Sequence, residues 1–220
     1  MPLRSMKFDE HNMVWRHYDT TPVIWTEYAT IIVSNYLNPT YIHTHNIKMW
    51  CRFEVHMEYA KNVIENIMLF LNDKWKHSNN ISKVDHVAIP NFHDKGTIIF
   101  GLVPYRETDI IYDTNLYPVS HKIEVAQLVG RKVTQQWFNN MMNNSLVSDF
   151  WFRKGLITLL ATYAVNEAYS DYQIINLFVV QNQYYSFNLD CDYHVWPSTS
   201  QVNSSLEIPN SIRGIRIIKK

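Results

Sequence analysis

An α+β fold is the class this sequence predicts, and three observations predict it. The first 54 residues are dense in β-branched and aromatic residues punctuated by turn signals. From residue 55 the period changes, and Tyr59, Val63, Ile67 and Phe70 recur at helical spacing. Farther along, Val125, Val129, Val133 and Trp137 form a second helical stripe flanked by Leu128.

The elements follow in order. Val14 to Leu37 reads as strand, led by Val23 to Val33 after the turn-like Thr21-Pro22. Asn38-Pro39-Thr40 predicts a break, with a second short strand running to Phe53. A helix is expected over about Val55 to Trp75, with Ile64 and Leu71 beside its stripe. The change of period near residue 54 is therefore the expected domain boundary, giving segments 1–54 and 55–220. After the polar loop Lys76 to Asn80, strands are expected at Val84 to Ile89, ending at Pro90, and at Thr97 to Val103, ending at Pro104. Helices are predicted at His121 to Met142, Phe152 to Ala168 and Asp171 to Asn182, followed by a turn-rich tail from Asp190 to Ser205.

Composition excludes several function classes. At 220 residues and 46% hydrophobic content, the chain can bury a globular core. Zero net charge gives no broad nucleic-acid or anionic-membrane footprint. With five glycines there is little room for phosphate-cradling loops, and no such motif occurs. No apolar run is long enough to span a membrane, and Met1 to Phe8 lacks the apolar core of a signal peptide. Cys51 and Cys191 lie far apart, and two buried free thiols are expected rather than a disulfide. Sequons at Asn80, Asn143 and Asn203 carry little weight in so Asn-rich a chain.

The chemistry-bearing segment is Arg131-Lys132-Val133-Thr134-Gln135-Gln136-Trp137-Phe138. It has the frame of the zinc-peptidase helix H-E-x-x-H. There, two histidines one turn apart grip the metal and the glutamate between them activates water. In this frame Arg131 and Gln135 stand at the histidine positions and Lys132 at the base position. Eighteen residues after Gln135 comes Lys154, within Trp151-Phe152-Arg153-Lys154-Gly155.

The chain resembles the zinc aminopeptidases of the aminopeptidase N type, in the gluzincin group. Their helix reads H-E-x-x-H-x-W-F-G-N, and their third ligand follows eighteen residues later in W-L-N-E-G. Trp137, Phe138, Asn140, Asp149, Trp151 and Gly155 keep that register. Upstream, Lys83-x-Asp85-x-Val87-Ala88-Ile89-Pro90-Asn91-Phe92 is similar to the family's K-x-D-x-V-A-I-P-D-F. Gly101-Leu102-Val103-Pro104-Tyr105-Arg106-Glu107-Thr108 is similar to its G-L-x-x-Y-R-E-T. Thr20-Thr21-Pro22 with Tyr28 to Asn35 resembles the close of its N-terminal β-domain.

By resemblance, segment 1–54 is a remnant of the N-terminal β-sandwich or saddle domain, and 55–220 is the front of a thermolysin-like peptidase domain. The chain then lacks most of the β-domain and the helical C-terminal domain, so a fragment is expected. Members are mostly membrane-anchored or extracellular; no anchor or signal accompanies this chain.

Carried over residue by residue, the resemblance implies a vestigial site. The three metal-ligand positions hold Arg131, Gln135 and Lys154, and the base position holds Lys132. The glutamate that anchors the substrate amine in G-A-M-E-N falls on Ile98, and the transition-state tyrosine on Ser211. Zinc is the family's cofactor, but none is expected here. Arg offers no lone pair, Lys must first lose a proton, and Gln is a weak neutral oxygen donor. Unit charges about 4 Å apart would repel by roughly 4 kcal/mol at an effective dielectric near 20. The expectation is an inactive homologue, at most binding peptides or partners. The alternative is an active zinc aminopeptidase with displaced ligands. Arg131, Lys132 and Lys154 read foremost as exposed charges in an abandoned cleft. The sharper readings are an anion or peptide-carboxylate pocket and a lysine standing in for the zinc charge. His43 and His45 share a strand face but lack further donors, so surface histidines are expected. Glu10-His11 and His121 have no evident partners, and Tyr105-Arg106-Glu107 is expected to maintain local structure.

Overall fold

The computed structural model describes residues 3–11, 13–20, 23, 26, 29–42, 47–75, 83–93, 99, 101–139 and 150–192. Helices and sheets both occur, as an α+β class requires. The chain divides into two compact units, Met1–Glu65 with Lys76–Val125, and Asn66–Trp75 with Ala126–Lys220. The expected boundary near residue 54 lies inside the first of them.

The first unit holds two sheets. Strands β1 (Leu3–Phe8) and β2 (Val14–Tyr18) form an antiparallel ribbon. The second sheet runs β3 (Asn38–Ile42), β4 (Ile47–Cys51), β5 (Asp85–Ile89), β6 (Leu102–Arg106). Its β3–β4 pair is antiparallel, whereas β4–β5 and β5–β6 are parallel. Parallel neighbours need a crossover, and helix α1 (Glu58–Trp75) lies between β4 and β5 in the chain. On β4 alternate residues Ile47, Met49 and Cys51 are buried, while the middle three residues of β5 and β6 are buried consecutively.

Several expectations need correcting. Asn38-Pro39-Thr40 opens β3 instead of breaking a strand, because its partners on β4 complete a ladder that the local turn signal cannot reveal. Residues 29–34 are not strand despite their β-branched content, and Ile31 and Val33 are almost fully exposed. Ribbon strand β1 was not expected from the sequence. Pro104 sits within β6, opposite Val87, rather than ending a strand. Among the described residues β6 is the last strand of its sheet, where a residue without an N–H is tolerated. Gly101 turns the chain into β6 with φ 67°, a left-handed value that favours glycine.

The helical expectations fare better. In α1, Ala60, Val63, Ile64, Ile67 and Leu71 are buried at one-turn spacing, with Tyr59 and Phe70 half-buried on the flanks. Helix α2 spans Val119–Asn139 and buries Val125, Val129, Val133 and Trp137, as the stripe predicts. Helix α3 spans Phe150–Ala168. The last expected helix is longer than predicted. It runs as α4 (Ile174–Phe178), a π-helical turn over Val179–Gln183, and α5 (Tyr184–Asp192).

One contact in the second unit governs how α2 and α3 meet. A Cβ placed on Gly130 would lie 2.3 Å from Val165 Cγ2, which no real pair tolerates. Only a residue without a side chain lets the two helices approach this closely. Mid-helix glycine costs about 1 kcal/mol relative to alanine, so helix propensity alone favours Gly130→Ala. Sterics reverse that sign. Gly130→Ala is expected to destabilise by about 1–3 kcal/mol. The double variant with Val165→Ala should lose less than the sum of the two single losses, measured by urea denaturation.

In the first unit, burial pushes the Cys51 thiol above its ordinary value, against the lowering effect of a hydrogen bond with Thr40. A raised folded-state value favours the protonated thiol. Its stabilising contribution is therefore complete below the unfolded-state pKa and lost as pH rises through the folded value. Peptide-mapped alkylation at Cys51 should be slow in native protein near pH 8 and fast in denaturant.

Candidate functional site

Three of the four residues at the family's metal and base positions lie on α2, and the fourth lies near the start of α3; all belong to the second unit. Helical spacing explains the grouping. Positions 131, 132 and 135 follow one another around little more than one turn, while 129, 133 and 137 face the core. Arg131 is exposed, Gln135 and Lys154 are half-buried, and Lys132 is buried to 8% exposure. The reading of exposed charges thus fits Arg131 and fails for Lys132. Burying a lysine is rare without compensation, and Lys132 and Lys154 are each engaged in a polar or electrostatic interaction. Ile98, Ser211, His43 and His45 lie outside the described residues.

The surroundings of the frame are helix-packing chemistry. Thr158 Oγ1 donates to the Lys154 carbonyl and Thr162 Oγ1 to the Thr158 carbonyl, both at 2.8 Å. These i to i−4 bonds satisfy hydroxyls inside an apolar helix. Phe138 meets Trp75 edge-on at 5.4 Å, and Phe70 lies against both Trp75 and Tyr163. Thr134 Oγ1 and Trp137 Nε1 are buried and have no hydrogen-bond partner among the described residues. Each such orphan costs about 1–3 kcal/mol, so this face of α2 carries polar groups its packing leaves unused.

The donor set at positions 131, 132, 135 and 154 does not fit zinc. It comprises a guanidinium, two ammonium groups and a neutral amide, where zinc takes imidazole, thiolate or carboxylate. Among the described residues, no three His, Cys, Asp or Glu side chains gather in a way that could hold a metal ion.

The upstream motifs, by contrast, are wired into the first unit. Lys83 Nζ lies 2.7 Å from Asp85 Oδ2 at the start of β5. His86 Nδ1 and the Tyr105 hydroxyl share a 2.9 Å hydrogen bond between β5 and β6, with the rings stacked at 5.7 Å. Both side chains are almost fully buried. Glu107, just past β6 and 3% exposed, receives a forked hydrogen bond from the Arg52 guanidinium. That carboxylate holds the guanidinium above its ordinary pKa, so Arg52 stays charged. Tyr105 and Glu107 therefore maintain local structure, as expected. Their partners Arg52 and His86 were missed by sequence reasoning because nothing local marks them; Gly130 left a signal, as an isolated glycine inside a helical stripe. His121, expected to lack a partner, places Nε2 3.0 Å from the Ile111 carbonyl and stacks on Tyr117. Its Nδ1 also lies 3.4 Å from Glu124 Oε2, one helical turn on, a partner that spacing along the helix could have shown, whereas the carbonyl and ring partners leave no such signal.

Comparison with known proteins places this fold and site. A family model, the Peptidase family M1 domain, matches residues 59–215. The chain therefore belongs to peptidase family M1, a class of metallopeptidases that includes aminopeptidases. Among individual relatives, it is 26% identical over 206 residues to Aminopeptidase N of Bos taurus, covering 90% of this chain and 21% of that protein. It is 28% identical over 162 residues to Glutamyl aminopeptidase of Mus musculus, covering 74% of this chain and 17% of that protein. The chain spans less than a quarter of the length of these relatives.

The motif pairing makes one prediction. Tyr105→Phe removes a buried hydroxyl that His86 uses and should cost about 1–2 kcal/mol in chemical denaturation, with the sheet otherwise retained. An unchanged midpoint would show the pair to be energetically idle.

Proposed function

We propose that this chain is a catalytically inactive M1 peptidase homologue whose remaining capacity is to bind peptides or partner proteins. One observation carries the proposal: Arg131, Lys132, Gln135 and Lys154 occupy the ligand and base positions of the frame. Loss at a single position could be bypassed. Here metal donors and general base are replaced together, mostly by cations, while Trp137 and Val133 still pack the same helix face. The substitution at Ile98 points the same way, since its side chain has no polar atom with which to anchor an amine, and at Ser211 a short hydroxyl replaces the family's longer phenol. Residues 1–54 as the end of a β-domain and 55–220 as part of a thermolysin-like domain belong to the same proposal.

Metal analysis after purification in zinc, together with hydrolysis of amino-acid coumarylamides, tests it. The expected outcome is substoichiometric zinc and no chelator-sensitive turnover. Near-stoichiometric zinc that is lost in Gln135→Ala would overturn the metal claim. Chelator-sensitive hydrolysis that survives Lys132→Ala would instead establish an active aminopeptidase with displaced ligands.

A further inference from the structure

Segment 110–118 joins the 3-10 turn Glu107–Asp109 to α2 and belongs to the first unit. Asp113 organises its turn: Oδ1 accepts from the Asn115 N–H at 2.8 Å, and the carbonyl accepts from the Leu116 and Tyr117 N–H groups. Ile110 is fully buried, but residues 111–118 are half-buried or exposed. With so little apolar anchorage the segment keeps its place through polar contacts, and segments held that way open most readily.

Two histidines make those contacts, one from each side. On the 3-10 turn Val55–Met57, which leads into α1, the His56 carbonyl accepts from the Tyr112 N–H at 3.1 Å, and His56 Nδ1 lies 3.7 Å from Asp113 Oδ2. In the first turn of α2, His121 Nε2 faces the Ile111 carbonyl at 3.0 Å and Nδ1 faces Glu124 Oε2 at 3.4 Å. Its ring also stacks on Tyr117 with centroids 4.6 Å apart. The Asp113 and His121 side chains are 25% and 18% exposed, so solvent screens their contacts only in part.

The proton count decides what these contacts are. A carbonyl and an ionised carboxylate only accept, so His121 satisfies both only with an N–H on each ring nitrogen, which is the imidazolium. A neutral ring has one N–H; bound to Ile111, it turns a lone pair toward Glu124. His56 likewise forms an ion pair with Asp113 only when protonated. The neighbouring charges are engaged elsewhere or act against protonation. Lys61 holds Glu54 and Glu58, Arg52 holds Glu107, and Asp109 accepts from the Thr108 hydroxyl. Lys122, lying over the Tyr59 and Tyr112 rings at 5.1 and 5.7 Å, is a cation that opposes further positive charge nearby.

We propose that His56 and His121 make segment 110–118 a proton-controlled latch. With both rings protonated and Asp113 and Glu124 ionised, the segment is fastened to the approach to α1 on one side and to the first turn of α2 on the other. As pH rises through the imidazole range, about 6–7, the ring contacts weaken, leaving the Tyr112 backbone bond and the buried Ile110 to hold it. Below about pH 4 the two acids protonate and the ion pairs are lost again.

Amide hydrogen exchange of the full chain at about pH 5.5 and about pH 8, corrected for the pH dependence of free-peptide exchange, tests the latch. Protection at Tyr112, Leu116 and Tyr117 should be about fivefold higher at the lower pH, the scale of two half-exposed ion pairs. In the double variant His56→Gln, His121→Gln the side chains still donate but do not titrate, so the ratio between the two pH values should fall to about one. Glu124→Gln changes an exposed side chain, leaves the fold intact and should lower the ratio partway. A ratio near one in the unaltered chain would overturn the proposal, as would an unchanged ratio in the double variant. If the double variant does not fold, as judged by circular dichroism, an unchanged ratio in Glu124→Gln overturns it instead.

Discussion

The second unit depends on a single steric fact, the absence of a side chain at Gly130. Helices pack at a separation set by the bulk at their contact, and here Val165 occupies the volume a Cβ would need. The consequence reaches the candidate site, because Arg131 and Lys132 follow Gly130 directly and Lys154 lies on the same helix as Val165. Packing side chains and chemistry-bearing side chains are thus carried by the same two helices. Core positions Val129, Val133 and Trp137 answer to volume, whereas 131, 132 and 135 are the positions that the family frame assigns to the metal and the base. In the inactive homologue proposed above, the second set is released from the demands of catalysis while the first still has a core to fill. On the proposed reading, that contrast accounts for a helix whose packing residues match a peptidase family while positions 131, 132 and 135 hold no imidazole, thiolate or carboxylate.

The first unit shows the same separation in another form. Tyr105 and Glu107 lie in a motif that the family resemblance marks, but each is bound to a structural partner, His86 and Arg52. A buried carboxylate held by a forked guanidinium, and a buried histidine held by a phenol, are costly to dismantle because removing either partner strands the other. Such pairs persist whether or not a substrate is ever bound. Conversely, the ribbon at the start of the chain spends apolar side chains on solvent and finds no compensation among the described residues.

Legibility from sequence followed the range of the interactions. Helices α1, α2 and α3 were readable because their apolar stripes repeat every turn, and repetition survives local noise. Strands were read less well. Val23 to Val33 has the composition of a strand, yet residues 29–34 have no ladder partner among the described residues, and β3 begins on an Asn-Pro pair because β4 supplies one. Among the site residues, identities and spacing were fully legible, since a missing donor is a property of the side chain itself. Burial of Lys132 was not, because it depends on what packs over α2.

By itself the sequence determined the family, the helical core and the identities of the residues at the ligand positions, all of which rest on residue type and on spacing along the chain. Tertiary structure alone decided the partners: Arg52 for Glu107, His86 for Tyr105, and Val165 against Gly130. These contacts join residues that are 55, 19 and 35 positions apart. No periodicity encodes such distances. They exist only once strands pair and helices close on one another, which is why an isolated glycine could be seen in the sequence but its necessity could not.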